Sequence, residues 1–171
     1  MSTIKTNAIQ TVAGKPILNS TGSIIQVVQV IPSPTAVVTN SNTYDTVNPT
    51  TANTALLFSG SITPTSSSSK VLVQLTGYFD ASGNTSGETV CLFRSSSFLA
   101  ASYWYRRVYG NETQPHIITY LDSPATTSSV QYDIRATTGG GWTLYINRNN
   151  NNTANAFWNK LVTLTLLEVT A

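Results

Sequence analysis

The chain has 171 residues, only 9% of them charged, and its 9 Lys and Arg against 7 Asp and Glu leave a net charge of +2. Soluble domains are roughly a quarter charged, so this surface is mostly hydroxyl and amide, and such scattered cations exclude a counterion-releasing grip on nucleic acid. No stretch approaches the roughly 20 apolar residues of a membrane span, the one Cys cannot form an internal disulfide, and one His leaves little scope for metal or cofactor chemistry.

Residues 1–23 carry Ile4, Ile9, Val12, Ile17 and Leu18, spaced too irregularly for an amphipathic helix and too sparsely for a private core. An extended segment of this kind becomes ordered when a partner surface receives it. The expectation is a docking arm at 1–23 followed by one domain at 24–171. The opening MSTIKTN also lacks the apolar run of a signal peptide, so the sequons at Asn19, Asn84, Asn111 and Asn151 are read as unmodified.

From Ile24 onward, short apolar stretches broken by turn residues predict strands at 24–31, 55–62, 70–79, 88–94, 98–109, 115–122, 129–137, 142–148 and 160–169. So many short strands predict an all-β sandwich or barrel. Residues 32–54, with Pro32, Pro34 and Pro49, are expected as an irregular connection or an edge strand carrying Tyr44, because Pro cannot donate to a central ladder. Cys91, inside Thr89-Val90-Cys91-Leu92-Phe93, reads as a buried structural thiol. Val130, Tyr132, Ile134 and Ala136 alternate with polar residues, as do Trp142, Leu144 and Ile146. Gly139, Gly140 and Gly141 lie between the two runs, which predicts a hairpin with positive φ at its turn.

Catalysis by a nucleophile needs Cys or Ser beside a base. His116 is the one imidazole, and alternation places it on a strand face with Ile118 and Tyr120, which favours a structural histidine over a Cys91–His116 pair. Glycoside cleavage needs two carboxylates facing across a sugar. Asp133 falls on the polar face of a strand, Glu168 at the chain end, and Asp45, Asp80, Glu88, Glu112 and Asp122 near turns, where they are expected to cap and solubilise. A calcium loop starting at Asp80 would put Cys91 where the bidentate Glu belongs, so a plain turn is expected there. In the segment 103–109, period two puts Tyr103, Tyr105, Arg107 and Tyr109 on one face and Trp104 and Val108 on the other, toward the core. The first set is the candidate subunit interface, with a glycan site as the alternative.

The segments MSTIKTNAIQ (1–10), GKPILNSTGSIIQVVQ (14–29), SITPTSSSSKVLV (61–73), DSPATTSSVQY (122–132), YINR (145–148) and LTLLEV (164–169) together resemble small tail-fibre-like and structural virion proteins of tailed bacteriophages, marine and cyanobacterial phages among them. The resemblance implies an antiparallel jelly-roll-like β-sandwich and a homotrimer on the virion exterior, bound to other virion proteins of capsid or tail. It carries no catalytic motif. The role it implies is non-enzymatic: capsid decoration, cement protein or short tail fibre, the alternative being a receptor-binding adhesin that recognises a host surface glycan. No cofactor, metal, nucleic acid or membrane is expected.

Overall fold

In the computed structural model the described residues are 21–41, 48–82, 87–105, 113–149 and 162–171, and their regular elements are strands. These are β1 (Ile24–Val30), β2 (Thr35–Val38), β3 (Asn40–Ser41), β4 (Ala55–Ile62), β5 (Lys70–Ala81), β6 (Gly87–Arg94), β7 (Ser97–Tyr105), β8 (Gln114–Asp122), β9 (Val130–Thr138), β10 (Thr143–Ile146) and β11 (Thr163–Val169). The long strands make two antiparallel sheets, ordered β1-β11-β5-β8 and β4-β9-β6-β7. Followed along the chain, the eight long strands change sheet at every connection except the tight turn between Arg94 and Ser97. Two four-stranded sheets joined in this way are a jelly roll. The chain is an all-β jelly-roll sandwich.

Alternation explains why these segments pair as they do. In β5, Val71, Val73, Leu75 and Phe79 are fully buried while Lys70, Thr76 and Tyr78 are exposed; in β11, Leu164 and Leu166 point inward between Thr163, Thr165 and Leu167. Opposite them, Tyr132, Ile134 and Ala136 on β9 and Val90 and Leu92 on β6 fill the second sheet's inner face. Gly60 on β4 leaves room for the facing sheet: a Cβ there would lie 3.0 Å from both the Leu164 and Val30 side chains.

The expected hairpin around Gly139–Gly141 is not formed. β9 already has β4 and β3 on one edge and β6 on the other, so it has no edge to offer. The chain instead turns the corner into the first sheet, where β10 pairs with Phe79–Ala81 beyond the end of β11 and takes β2 on its other side. The glycines serve that corner: Gly141 has φ of 66°, and the Trp142 indole lies where a Cβ on Gly140 would be. Thr138 Oγ1 accepts from Trp142 N at 2.8 Å, and Thr39 N and Oγ1 both donate to Trp142 O, at 2.8 and 2.7 Å. β2 and β3 occupy the proline-flanked stretch at sheet margins, as the Pro argument requires.

Glu168 has the inward parity of β11 and is fully buried, not a chain-end carboxylate in solvent. Its Oε1 accepts from Thr65 N at 2.7 Å and Thr65 Oγ1 at 2.8 Å, tying the β4–β5 loop to β11. Burial works to raise its pKa, but hydrogen bonds from Thr65 and Ser69 side chains and from the Thr65 and Ser66 backbone outweigh it and hold the carboxyl below its usual value. A carboxyl with a depressed folded-state pKa stabilises above its unfolded value of about 4.3, and that contribution is lost as pH falls through the folded value. Thermal melts from pH 7 to pH 3 are therefore expected to show a loss of stability beginning below about pH 4.5 that is smaller in Glu168→Gln; superimposable pH profiles would mean the loop is held by other contacts.

Candidate functional site

His116 lies in the inward-facing row of β8 between Gln114 and Ile118 and is fully buried. Its Nε2 lies 2.9 Å from Glu88 Oε1 on β6, its Nδ1 3.1 Å from Ser102 Oγ on β7, and its ring meets Phe79 edge-on at 5.5 Å. An ionised carboxylate can only accept, which puts a proton on Nε2, and the Ser102 hydroxyl, able both to donate and to accept, can meet Nδ1 in either role. Cys91 takes no part. It has the opposite parity on β6, facing away from the imidazole, and burial pushes its thiol up to about 12 against the opposing charge of Arg135.

A hydroxyl, an imidazole and a carboxylate in series is the arrangement that activates a serine. Here, however, imidazole and carboxylate have no exposed surface, so the series ends inside the sandwich. What it does structurally is join three strands: β6 and β7 of one sheet to β8 of the other. Sequence reasoning grouped Glu88 with turn carboxylates and did not consider Ser102. The available signal was parity, because Glu88 falls in register with inward-facing Val90 and Leu92, and a carboxylate in a core row requires a partner.

Of the other carboxylates expected near turns, Asp122 and Asp80 are likewise buried, as is Asp133, while Asp45 and Glu112 lie outside the described residues. Asp122 receives Arg94 Nη1 on both oxygens, at 2.8 and 2.9 Å, and Tyr132 OH at 2.7 Å. Burial, then the hydrogen bond and charge of Asp122, push the Tyr132 phenol well above its usual value. Asp133 accepts from Ser59 Oγ and Gln131 Nε2, both at 2.7 Å, and Asp80 accepts from Ala81 N at 2.9 Å. Each carboxylate has its own partners, in place of two facing across an open cleft, and among the described residues no cluster of three or more His, Cys, Asp or Glu could hold a metal.

Tyr103 is 49% exposed on the outer side of β7, opposite Thr89, and so lies outside the core as its parity requires. Trp104 departs from expectation: it has the inward parity, opposite Glu88, yet is 43% exposed. Arg107, Val108, Tyr109 and the side chain of Tyr105 lie outside the described residues, as do Ile4, Ile9, Val12, Ile17 and Leu18.

The outer side of the first sheet carries an apolar row. Register aligns Val27, Leu167, Leu72 and Leu121 across β1, β11, β5 and β8. Val27 is 60% and Leu121 49% exposed, with Leu72 and Leu167 half-buried between them. The next row is Gln29, Thr165, Gln74 and Thr119, and the one after joins Thr163 and Thr76, whose hydroxyls lie 3.0 Å apart, to exposed Ile117. Not one side chain in these rows is ionic.

No family model matches the chain, and no curated protein matches it. Among solved structures it is similar to a structure of the Gt strain of infectious bursal disease virus, at 14% identity and a TM-score of 0.39 over 85% of this chain and 38% of that one. It is similar also to the VP2 subviral particle of infectious bursal disease virus, at 10% identity and a TM-score of 0.37 over 85% and 37%. The chain thus spans under two fifths of the length of either. The strand order, not these likenesses, defines the fold.

Replacing His116 by Phe leaves the Glu88 carboxylate buried without its imidazole, and urea denaturation is expected to show a loss of roughly 3 kcal/mol. Ser102→Ala, which removes one neutral hydrogen bond, should cost about 1 kcal/mol. A fluorophosphonate probe is expected to leave Ser102 unmodified in the folded protein; labelling at Ser102 would make it a nucleophile.

Proposed function

We propose that the protein is a non-enzymatic structural component of the exterior of a tailed-bacteriophage virion. In this reading it is a homotrimer that decorates or cements the capsid or forms a short fibre, with residues 1–23 docking on another virion protein. The observation that carries the reading is the outer face of the first sheet. A four-strand apolar row, bordered on one side by hydroxyls and amides and on the other by Val169 and exposed Lys70, is costly to leave in water, and covering a Val or Leu side chain is worth up to about 1.5–3 kcal/mol. A neighbouring copy can cover this row and the hydroxyl and amide rows beyond it without burying a charge, the usual obstacle to packing surfaces together, because Lys70 stands at the first position of β5, at the margin of the face. The low charge of the whole chain and the resemblance of its segments to small virion proteins point the same way.

Exposure of the row makes it testable without touching the core. The double substitution Leu72→Lys with Leu121→Lys is expected to leave the fold intact by circular dichroism and to convert a trimer to monomers in sedimentation velocity at micromolar concentration. A folded monomer of the unaltered protein under those conditions would overturn the trimer. Removing residues 1–22 is expected to preserve the trimer and abolish its incorporation into particles; unchanged incorporation would relieve the arm of that role.

A further inference from the structure

The two flanks of the sandwich differ. On one, β7 and β8 lie edge beside edge, and the Ser102–His116 bond joins them. On the other, β1 and β4 end the two sheets, each paired on one side only among the described residues. The inward-facing Val28 and Val30 of β1, and Phe58 of β4, pack on the core but stay partly exposed, whereas Val73, Leu75, Leu164 and Leu166 on the strands behind β1 have no exposed surface. This flank is open.

β1 is also an edge without the usual protection. An open strand edge offers unpaired N–H and C=O groups, and proteins blunt it with Pro, Lys, a bulge or shortness. β8 has Pro115, β2 is four residues long behind Pro34, and β4 has a bulge at Leu56–Phe58. Beyond the irregularity at Ile24–Gln26, β1 keeps regular register to Val30 with no charge and no Pro. The chain that precedes it arrives beside this edge. Gly22 N donates to Thr170 O at 2.8 Å and Ser23 N to Thr170 Oγ1 at 3.0 Å, which fixes the foot of β1, and Gly22 stands in a turn with Thr21 at a φ of 84°. Positive φ of this kind suits a reversal. Twenty residues lie upstream of Thr21, up to roughly 70 Å of extended chain. Running the length of seven-residue β1 takes only about 23 Å.

We propose that residues 12–18, which lie outside the described residues, turn back through 19–23 and add to the free edge of their own chain's β1 as an antiparallel strand that closes the flank. Parity selects how the segment lies. Val12, Gly14, Pro16 and Leu18 alternate with Ala13, Lys15 and Ile17, and the arrangement that keeps Lys15 in solvent turns Val12, Gly14 and Pro16 inward. Setting Val12 against Val30 brings Gly14 to Val28, Pro16 to Gln26 and Lys15 to exposed Val27. It leaves residues 19–23 for the reversal, a length that hairpin loops use. The added strand then presents Lys15 and Pro16 on the new edge, the two protections that β1 lacks. The arm is thereby divided: residues 12–18 complete the domain, and residues 1–11, with Ile4 and Ile9, remain for docking. The proposal goes beyond the structural role and does not rest on it, since flank and segment belong to one chain.

The test is residue-resolved amide hydrogen exchange by NMR on the full chain and on forms lacking residues 1–11 and 1–18. Every amide from Gln26 to Val30 is expected to be protected in the full chain and in the shorter deletion. Loss of residues 1–18 should speed exchange at alternate β1 amides at least tenfold. Val12→Asp with Gly14→Asp in the full chain places carboxylates in the flank and should do the same if the longer deletion does not fold. Equal exchange in the full chain and in a folded form deprived of the segment would overturn the proposal. Ala13→Cys with Gln29→Cys, opposed on the outer side, identifies the donor chain. Opposed residues have Cα atoms about 4.5–5.5 Å apart, within reach of a disulfide, and Cys91 is buried away from the reaction. A bridge within one chain is expected; a bridge between chains, which would make a neighbour's arm the cap, or no bridge at all would overturn the assignment.

Discussion

The rest of the structure depends on the pairing of β8 with β5 and on what β8 carries at its two ends. Register sets His116 against Gly77 and Asp122 against Val71, with both side chains turned inward. Six residues apart on one strand, they stand roughly 20 Å from each other, and each reaches across to the other sheet: His116 to Glu88 and Ser102, Asp122 to Arg94 and Tyr132. β8 is an edge strand of its sheet, and β7, beside it, is the edge of the other. Apolar packing holds the two sheets face to face but is indifferent to small slides between them. Directional polar bonds at both ends of the seam remove that freedom, and they are costly to leave half-made.

The same pairing explains how the external surfaces acquire their character. Once His116 and Asp122 face inward, period two sends Ile117, Thr119 and Leu121 outward, and β5 and β11 continue those rows. The apolar row is thus the other side of the register that buries the polar clasps. Interior bonding and exterior chemistry are set by one alignment.

Much of this was legible in the sequence, and what was not has a physical reason. Alternation in residues 130–136 and 142–146 identifies core positions such as Tyr132, Ile134, Leu144 and Ile146 because a sheet buried on one face obeys period two. The misplaced hairpin shows the limit of local signals. Gly139 to Gly141 announces a reversal, but whether the next strand pairs with the preceding one depends on whether that strand has a free edge, which distant β4 and β6 decide. The carboxylates were misjudged for a related reason: Glu88 and Asp122 lie near strand ends, where a local reading sees turns, and their partners are 28 residues away in each case. Ser102 gives no signal at all until β7 and β8 are brought together. Parity placed Tyr103 on the outer side and assigned Trp104 to the inner one, where it is nonetheless 43% exposed.

All five acidic residues among those described, Asp80, Glu88, Asp122, Asp133 and Glu168, are buried. The consequence concerns the water around the protein more than its interior. A surface described without an outward carboxylate gathers almost no layer of small cations, and the apolar row of the first sheet with the hydroxyl and amide rows beside it gathers no counterions of either sign. Contacts made through those rows release no ions and cross no screened field. Their strength is therefore carried by apolar area and hydroxyl bonding alone, and is as available in concentrated brine as in dilute buffer.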